Sequence, residues 1–314
     1  MGGRVAVRAI LGAALAAVLG FAAYALAGPA SDARIETTQF SVGYGLGGAY
    51  AECPNRERAV GGGVARLGHH RVYVGASGPL DATTSSPTNP AKAVANTKDG
   101  DVAKQWYAGI SNPSSRRLDV KTFALCSKAS DATIEATPFS VDGRRTGEAS
   151  AKCPAGKRAV GGGVIEARWP DNRILASGPL DSSGAIAKTR DGDVAKRWYA
   201  AVHNLPPPRV HFKVFALCSA DSRATIQATG FSVRGAGAGA ASAKCPAGKR
   251  ALGGGIIQSG PAKFLRVLAA APLDAKGSPA GTANGDVAKE WYARILNRNP
   301  RRVHFKVLAL CEPG

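Results

Sequence analysis

Arg58-Ala59-Val60-Gly61-Gly62-Gly63-Val64, a few residues after Cys53-Pro54, decides how the chain is read, because it returns twice. Cys153-Pro154 leads to Arg158-Ala159-Val160-Gly161-Gly162-Gly163-Val164, and Cys245-Pro246 to Arg250-Ala251-Leu252-Gly253-Gly254-Gly255-Ile256. Three glycines weaken a strand unless another backbone or a bend must fit against them. Their return in every copy points to a packing constraint, such as close approach between neighbouring sheets, rather than to a ligand contact.

Working outward, the repeat lengthens. Ile35-Glu36-x-Thr38-x-Phe40-Ser41-Val42 precedes the glycines, with counterparts starting at Ile134 and Ile226. Pro-Leu-Asp follows at 79–81, 179–181 and 272–274, and Gly-Asp-Val-Ala-Lys-x-Trp-Tyr-Ala begins at Gly100, Gly192 and Gly285. Ala-Leu-Cys closes each copy at Cys126, Cys218 and Cys311. A 314-residue chain suggests about two domains. The repeats replace that with three units of about 90 residues, at 33–130, 131–222 and 223–314. The extra residues of the first copy sit mostly at 82–98, a Ser/Thr/Pro stretch that reads as a surface loop.

The local signals are β. Leu118 to Leu125, Val210 to Phe215 and Val303 to Leu308 alternate, as do Arg71 to Val74 and Trp106 to Ile110. Four or five short strands per copy are expected, with Lys121, Lys213 and Lys306 on the solvent side of the closing strand. Each Trp of Trp106-Tyr107, Trp198-Tyr199 and Trp291-Tyr292 is expected in the core, leaving its tyrosine on the opposite face as an exposed platform. The fold class is all-β, with three tandem disulfide-stapled repeats. They are either strung as separate modules or packed around a pseudo-threefold axis.

Residues 1–27 carry Arg4 and Arg8, an apolar run at 9–23 and Ala25-Leu26-Ala27, the layout of a secretory signal peptide. Uncleaved, the same segment would anchor the chain in a membrane. Removing it takes the formal charge from +19 to +17. Export supplies the oxidising compartment in which disulfides persist. Two cysteine pairings respect the repeat. One joins Cys53–Cys126, Cys153–Cys218 and Cys245–Cys311 within copies. The other joins Cys126–Cys153, Cys218–Cys245 and Cys311–Cys53 between them. The first is favoured because each copy is then stapled by itself, for about 4 kcal/mol per bridge in the chain-entropy model. Zinc fits poorly, since no Cys-x-x-Cys pair occurs.

The catalytic signals are weak. Gly43-Tyr44-Gly45-Leu46-Gly47-Gly48 matches a dinucleotide-binding pattern but no helical segment follows it, so it reads as a turn. Asp99-Gly100-Asp101, Asp191-Gly192-Asp193 and Asn284-Gly285-Asp286 read as tight turns rather than calcium loops. His211 and His304 correspond to each other but the first copy has Asp119 at that position, and His69-His70 stands alone, so neither forms a repeated base. No metal or cofactor is expected. Arg58, Arg158 and Arg250 after each Cys-Pro, with Lys104, Lys196 and Lys289 before each Trp, form a repeated set of candidate anion-binding cations.

The pattern Cys-Pro-Ala-Gly-Lys-Arg-Ala-Val-Gly-Gly-Gly, then Trp-Tyr-Ala-x-x-x-Asn, then Phe-Ala-Leu-Cys resembles a repeat module of secreted bacterial proteins that have no assigned role. The likeness covers about 33–313. A fainter similarity is to vitelline membrane outer layer protein, which has three β repeats with Cys-Pro-x-Gly and a later Asn-x-x-x-x-Cys. Here the gap from Asn204 to Cys218 is longer and the copies are nearly twice the length. That similarity implies a pseudo-threefold β-prism and a carbohydrate-related role. The expectation is therefore an exported, non-enzymatic protein, secreted or held at the cell surface. It would bind an anionic polymer, carbohydrate or extracellular nucleic acid there, or have a structural role. The alternative is a secreted polysaccharide hydrolase using Asp81, Asp101, Asp181 and Asp193 as paired carboxyls.

Overall fold

The computed structural model describes residues 30–68, 72–81, 90–166, 172–205, 207–258 and 264–314. The leader at 1–27, the His69-His70 pair and 82–89 of the Ser/Thr/Pro stretch lie outside them. The chain is all-β, and each copy supplies six strands rather than four or five. In the first copy these are β1 (Arg34–Val42), β2 (Gly45–Glu52), β3 (Arg58–Leu67), β4 (Tyr73–Leu80), β5 (Gln105–Asn112) and β6 (Leu118–Ser127). The second runs β7 (Thr133–Val141), β8 (Thr146–Lys152), β9 (Arg158–Glu166), β10 (Arg173–Leu180), β11 (Arg197–His203) and β12 (Val210–Ser219). The third runs β13 (Thr225–Val233), β14 (Ala238–Lys244), β15 (Lys249–Gln258), β16 (Leu265–Leu273), β17 (Glu290–Asn297) and β18 (Val303–Pro313). The strands hardest to read from sequence are β2, β8 and β14, rich in Gly, Ala and Ser, which have little strand preference of their own. Antiparallel pairing with the Trp-Tyr strands β5, β11 and β17 holds them extended. The stretch read as a surface loop contains one helix, α1 (Ala91–Asn96), whose Ala93 and Val94 are buried.

The copies are not beads on a string. They form three six-stranded sheets, ordered β1-β6-β3-β16-β17-β14, β2-β5-β4-β9-β12-β7 and β13-β18-β15-β10-β11-β8. Each sheet takes three strands from one copy and three from another, and the sharing closes into a ring. The seams β3–β16, β9–β4 and β15–β10 are short, with one paired position each: Val64 with Ala270, Val164 with Ser77 and Ile256 with Ser177.

The glycine triplets explain the ring. A Cβ on Gly61 would lie closer than 3.0 Å to the Leu252 carbonyl oxygen; on Gly253, to that of Val160; on Gly161, to that of Val60. Those contacts run from copy one to three, three to two and two to one, so the first glycines surround a pseudo-threefold axis. The residue whose carbonyl they meet is the extra residue of a β-bulge in each copy, at Val60, Val160 and Leu252. The third glycines, Gly63, Gly163 and Gly255, meet the backbones of Ala270, Ser77 and Ser177 across the seams. The middle ones lie under the indoles of Trp106, Trp198 and Trp291. Backbone atoms cannot rotate away from a clash, so any side chain at the first or third position forces the copies apart.

The tryptophans fill the core as expected. Trp106 Nε1 donates to Ser77 Oγ at 3.0 Å and Trp198 Nε1 to Ser177 Oγ at 2.9 Å. The third copy has Ala270 at that position, and Trp291 Nε1 is buried without a partner. All three indoles line a cavity of about 20 Å³. The tyrosines do not form an exposed platform. Tyr107 is buried and its phenol is pushed up by burial and by Tyr50 and Glu166, while Tyr199 and Tyr292 are half-buried. The disulfides are Cys53–Cys126, Cys153–Cys218 and Cys245–Cys311, the pairing within copies.

The closing-strand lysines also depart from expectation. Lys121 is only 8% exposed, and Lys213 and Lys306 are half-buried. Lys121 Nζ donates to the carbonyls of Ala280 and Thr282, Lys213 Nζ to those of Ala95 and Thr97, and Lys306 Nζ to that of Thr189. Each ammonium thus crosses to the neighbouring copy. Alternation along a strand places it on the outer face, but it cannot reveal that a neighbour's loop covers that face.

Candidate functional site

The molecule has two ends along the axis. At one end lie the Cys-Pro turns, both chain junctions and residues 30–33. The six repeated cations are found here, and all of them donate to backbone carbonyls. Arg58 Nη1 reaches Ala132, Arg158 Nη1 reaches Ala224 and Arg250 Nη1 reaches Ala33, each at the start of the next copy in the ring. Burial, with Arg34 nearby, pushes the Arg250 guanidinium down. Lys104 donates to Glu57, Lys196 to Lys157 and Lys289 to Lys249, steadying the Cys-Pro turn of their own copy. Much of the donor capacity of these residues serves the fold.

The repeated acids are likewise engaged. Gly100, Gly192 and Gly285 have φ of 84°, 83° and 82°, the left-handed turn conformation. Their N–H groups donate to Ile134, Ile226 and Ile35 of the next copy, and Asp99 Oδ1 accepts from Ala136 N. Asn284 Oδ1 accepts from Thr37 N and Oγ1, which closes the ring. Asp101, Asp193 and Asp286 accept from N–H groups within their own turns, at 2.8, 2.9 and 2.8 Å. Asp81 and Asp181 hold Thr97 and Ser183. Among the described residues no group of three or more His, Cys, Asp or Glu is arranged to hold a metal ion.

The opposite end carries a hollow of about 490 Å³, lined from all three copies. Its centre is a set of equivalent positions, each six residues before the proline of Pro-Leu-Asp: Tyr73, Arg173 and Arg266. They stand where β4, β10 and β16 begin, around the axis. The first copy places a tyrosine where the other two have arginine. The Arg266 guanidinium lies 4.3 Å from the Tyr73 ring centroid, a cation–π stack, and is only 7% exposed. Arg298 Nη2 donates to Tyr73 Oη at 3.3 Å. Tyr73, 6% exposed, therefore orients two guanidiniums at once. The first copy's hairpin adds Tyr44, 80% exposed, and Leu46, 44% exposed, to the rim. Three arginines and no carboxylate line the hollow among the described residues.

Sequence reading missed this site because its residues are not repeated: Arg, Arg and Tyr at equivalent positions look like drift between copies. The usable signal was that drift itself, at the start of the strand that meets the axis. Tyr44 was taken only as part of a turn, which it is; Gly45 beside it has φ of 104°. No protein-family model matches the chain, and no curated protein does either.

Proposed function

We propose that this chain is an exported, non-enzymatic protein that binds an acidic polymer at the cell surface. The observation that carries this reading is the hollow at the axis end, whose lining among the described residues includes Arg173, Arg266 and Arg298. Guanidiniums present paired donors that match phosphate and carboxylate oxygens. A second locus supports it. Burial, together with the like charge of Arg294, pushes the Arg66 guanidinium down, and its buried Nη1 has no partner. The formal charge of +17 left after removal of residues 1–27 draws polyanions at long range, including through the six cations of the Cys-Pro end.

Three disulfides favour an oxidising compartment, in keeping with a cleaved leader. Among the described residues no helix is long and apolar enough to cross a membrane. The hydrolase reading loses support, because the repeated aspartates spend carboxylate oxygens on N–H groups and hydroxyls of their own turns and loops. The mature protein should be retained on immobilised acidic polysaccharide at low salt and released as salt rises, by counterion release. No retention at low ionic strength would sink the proposal.

A further inference from the structure

The turns at the hollow's end of the molecule combine exposed arginines with exposed apolar side chains. We infer that this end docks on an anionic lipid surface, with the arginines on phosphate headgroups and the apolar side chains in the interface beneath them. The docking is separate from the polymer reading and does not depend on it.

The turns at 43–44, 113–117, 142–145, 205–209, 234–237 and 298–302 carry nine arginines, one acid and no lysine. A buried asparagine in each copy fastens two of these turns together. Asn112 Nδ2 donates to the Val42 and Arg116 carbonyls at 2.9 and 2.8 Å, and Asn204 Nδ2 to those of Val141 and Pro208 at 2.9 and 2.8 Å. Asn297 Nδ2 donates to those of Arg234 and Arg301 at 3.1 and 2.9 Å. The turn backbones are therefore fixed before a partner arrives, which lowers the ordering cost of binding. Arg116 and Arg117 of the first copy and Arg144 and Arg145 of the second are exposed, and their guanidiniums make no hydrogen bond or ion pair. The same is true of Arg234, Arg301 and Arg302 in the third copy. The one acid, Asp142, is paired with Arg209. The connections at 69–71, 167–171 and 259–263 lie outside the described residues. In sequence they hold three further cations and one acid, so they do not reverse the balance. Guanidiniums match phosphate oxygens with paired donors, and each cation near an anionic leaflet adds to the attraction.

Charge alone suits any polyanion; the apolar surface selects a bilayer. Among the described residues the exposed large hydrophobic side chains are Tyr44 at 80%, Phe264 at 49% and Leu46 at 44%, and all three stand at this end. They flank one hollow: Arg298 N donates to the Phe264 carbonyl at 3.0 Å, and Arg298 lines the hollow with Tyr44 and Leu46. A tyrosine suits the membrane interface, its ring among the headgroups and its hydroxyl in water. A soluble polyanion offers Leu46 and Phe264 no apolar partner, whereas a bilayer interface accepts apolar and cationic groups side by side. At the Cys-Pro end, by contrast, Arg58, Arg158 and Arg250 are tied to carbonyls.

Co-sedimentation with vesicles tests the assignment, using the mature protein so that the apolar run at 9–23 contributes nothing. Vesicles of phosphatidylglycerol and phosphatidylcholine in equal parts should bind it, and vesicles of phosphatidylcholine alone should bind it about tenfold more weakly or less. Arg301→Gln combined with Arg302→Gln should weaken the binding about tenfold. Tyr44→Ser combined with Leu46→Ser should also weaken vesicle binding, while retention on acidic polysaccharide stays unchanged. Arg56→Gln with Lys128→Gln, at the opposite end, should leave vesicle binding as it was. All these side chains are exposed or on turns, and an unchanged urea midpoint in each variant verifies that it folds. In Tyr44→Trp, brominated lipid should quench the added fluorescence. No binding to the anionic vesicles would overturn the inference, as would equal losses from the variants at the two ends. Binding indifferent to the Tyr44 and Leu46 changes would overturn it too, since that is the behaviour of a surface for soluble polyanions. Failure on vesicles with retention on acidic polysaccharide intact leaves the polymer reading standing, and the converse result removes the polymer reading alone.

Discussion

Trp291 is the residue at which the threefold pattern is imperfect. Trp106 and Trp198 each find a serine hydroxyl, and Trp291 meets Ala270 instead. A buried indole N–H without an acceptor loses its bond to water and gains nothing in return. Ala270→Ser restores the missing acceptor in a backbone setting that already holds Ser77 and Ser177. It should stabilise the fold by about 1 kcal/mol, seen as a higher urea midpoint at an unchanged slope. An unchanged or lower midpoint would show that the indole is satisfied in another way. The glycines beside these indoles differ from other strand glycines in the same physical terms. Gly230 in β13 has open space where a Cβ would stand, whereas a Cβ on Gly162 would meet the Phe215 carbonyl and the Trp198 indole.

Among the elements, the closing strands β6, β12 and β18 do more than pair with neighbours. Each sends one ammonium across to carbonyls that end a short turn or helix in another copy. For Lys213 these are Ala95 and Thr97, at the end of α1, and Asp99, Asp101 and Asp81 surround the charge. Burial pushes this ammonium down and those acids oppose the effect. Lys213→Met keeps the apolar stem but leaves both carbonyls without that donor. The expected cost is about 1–3 kcal/mol, with faster amide exchange in α1 but not in the distant β15. Equal exchange in the variant and the parent would mean that the lysine is a bystander. The short seams between copies, with one paired position apiece, show why such side-chain ties matter: the sheets themselves join the copies only weakly.

For the whole molecule, sharing every sheet between two copies makes the three repeats one folding unit. A copy cut out at 131–222 keeps its disulfide Cys153–Cys218 but leaves two half-sheets and a glycine face uncovered. It should be unfolded, or should assemble through the axis as a trimer. Light scattering with circular dichroism checks this, and a folded monomer would contradict the ring. The ends of the molecule also have a fixed relation. Residues 30–33 emerge at the Cys-Pro end, since Arg250 holds Ala33 there, while the arginine hollow is at the other. The first described residues and the hollow therefore lie at opposite ends of the axis.

Repetition is a property of sequence, so the all-β class, the three units and the preferred cysteine pairing were legible in residue spacing alone. The glycine triplet even announced a close approach, because glycine within a strand has few other uses. What it approached was not legible, since the contact lies between Gly61 and Leu252, far apart in the chain and related only by the ring. The same holds for the cations. Arg58 and Lys104 drew notice by recurring, yet recurrence reports what every copy needs, and every copy needs its turns and junctions held. The hollow at the axis end breaks the symmetry: Tyr73, Arg173 and Arg266 differ in sequence and line one hollow only because β4, β10 and β16 begin around one axis. Local spacing determines which strands form, because periodicity and turn chemistry act between near neighbours. Which side chains share a hollow is decided by how the copies close on one another, through contacts that no single repeat contains.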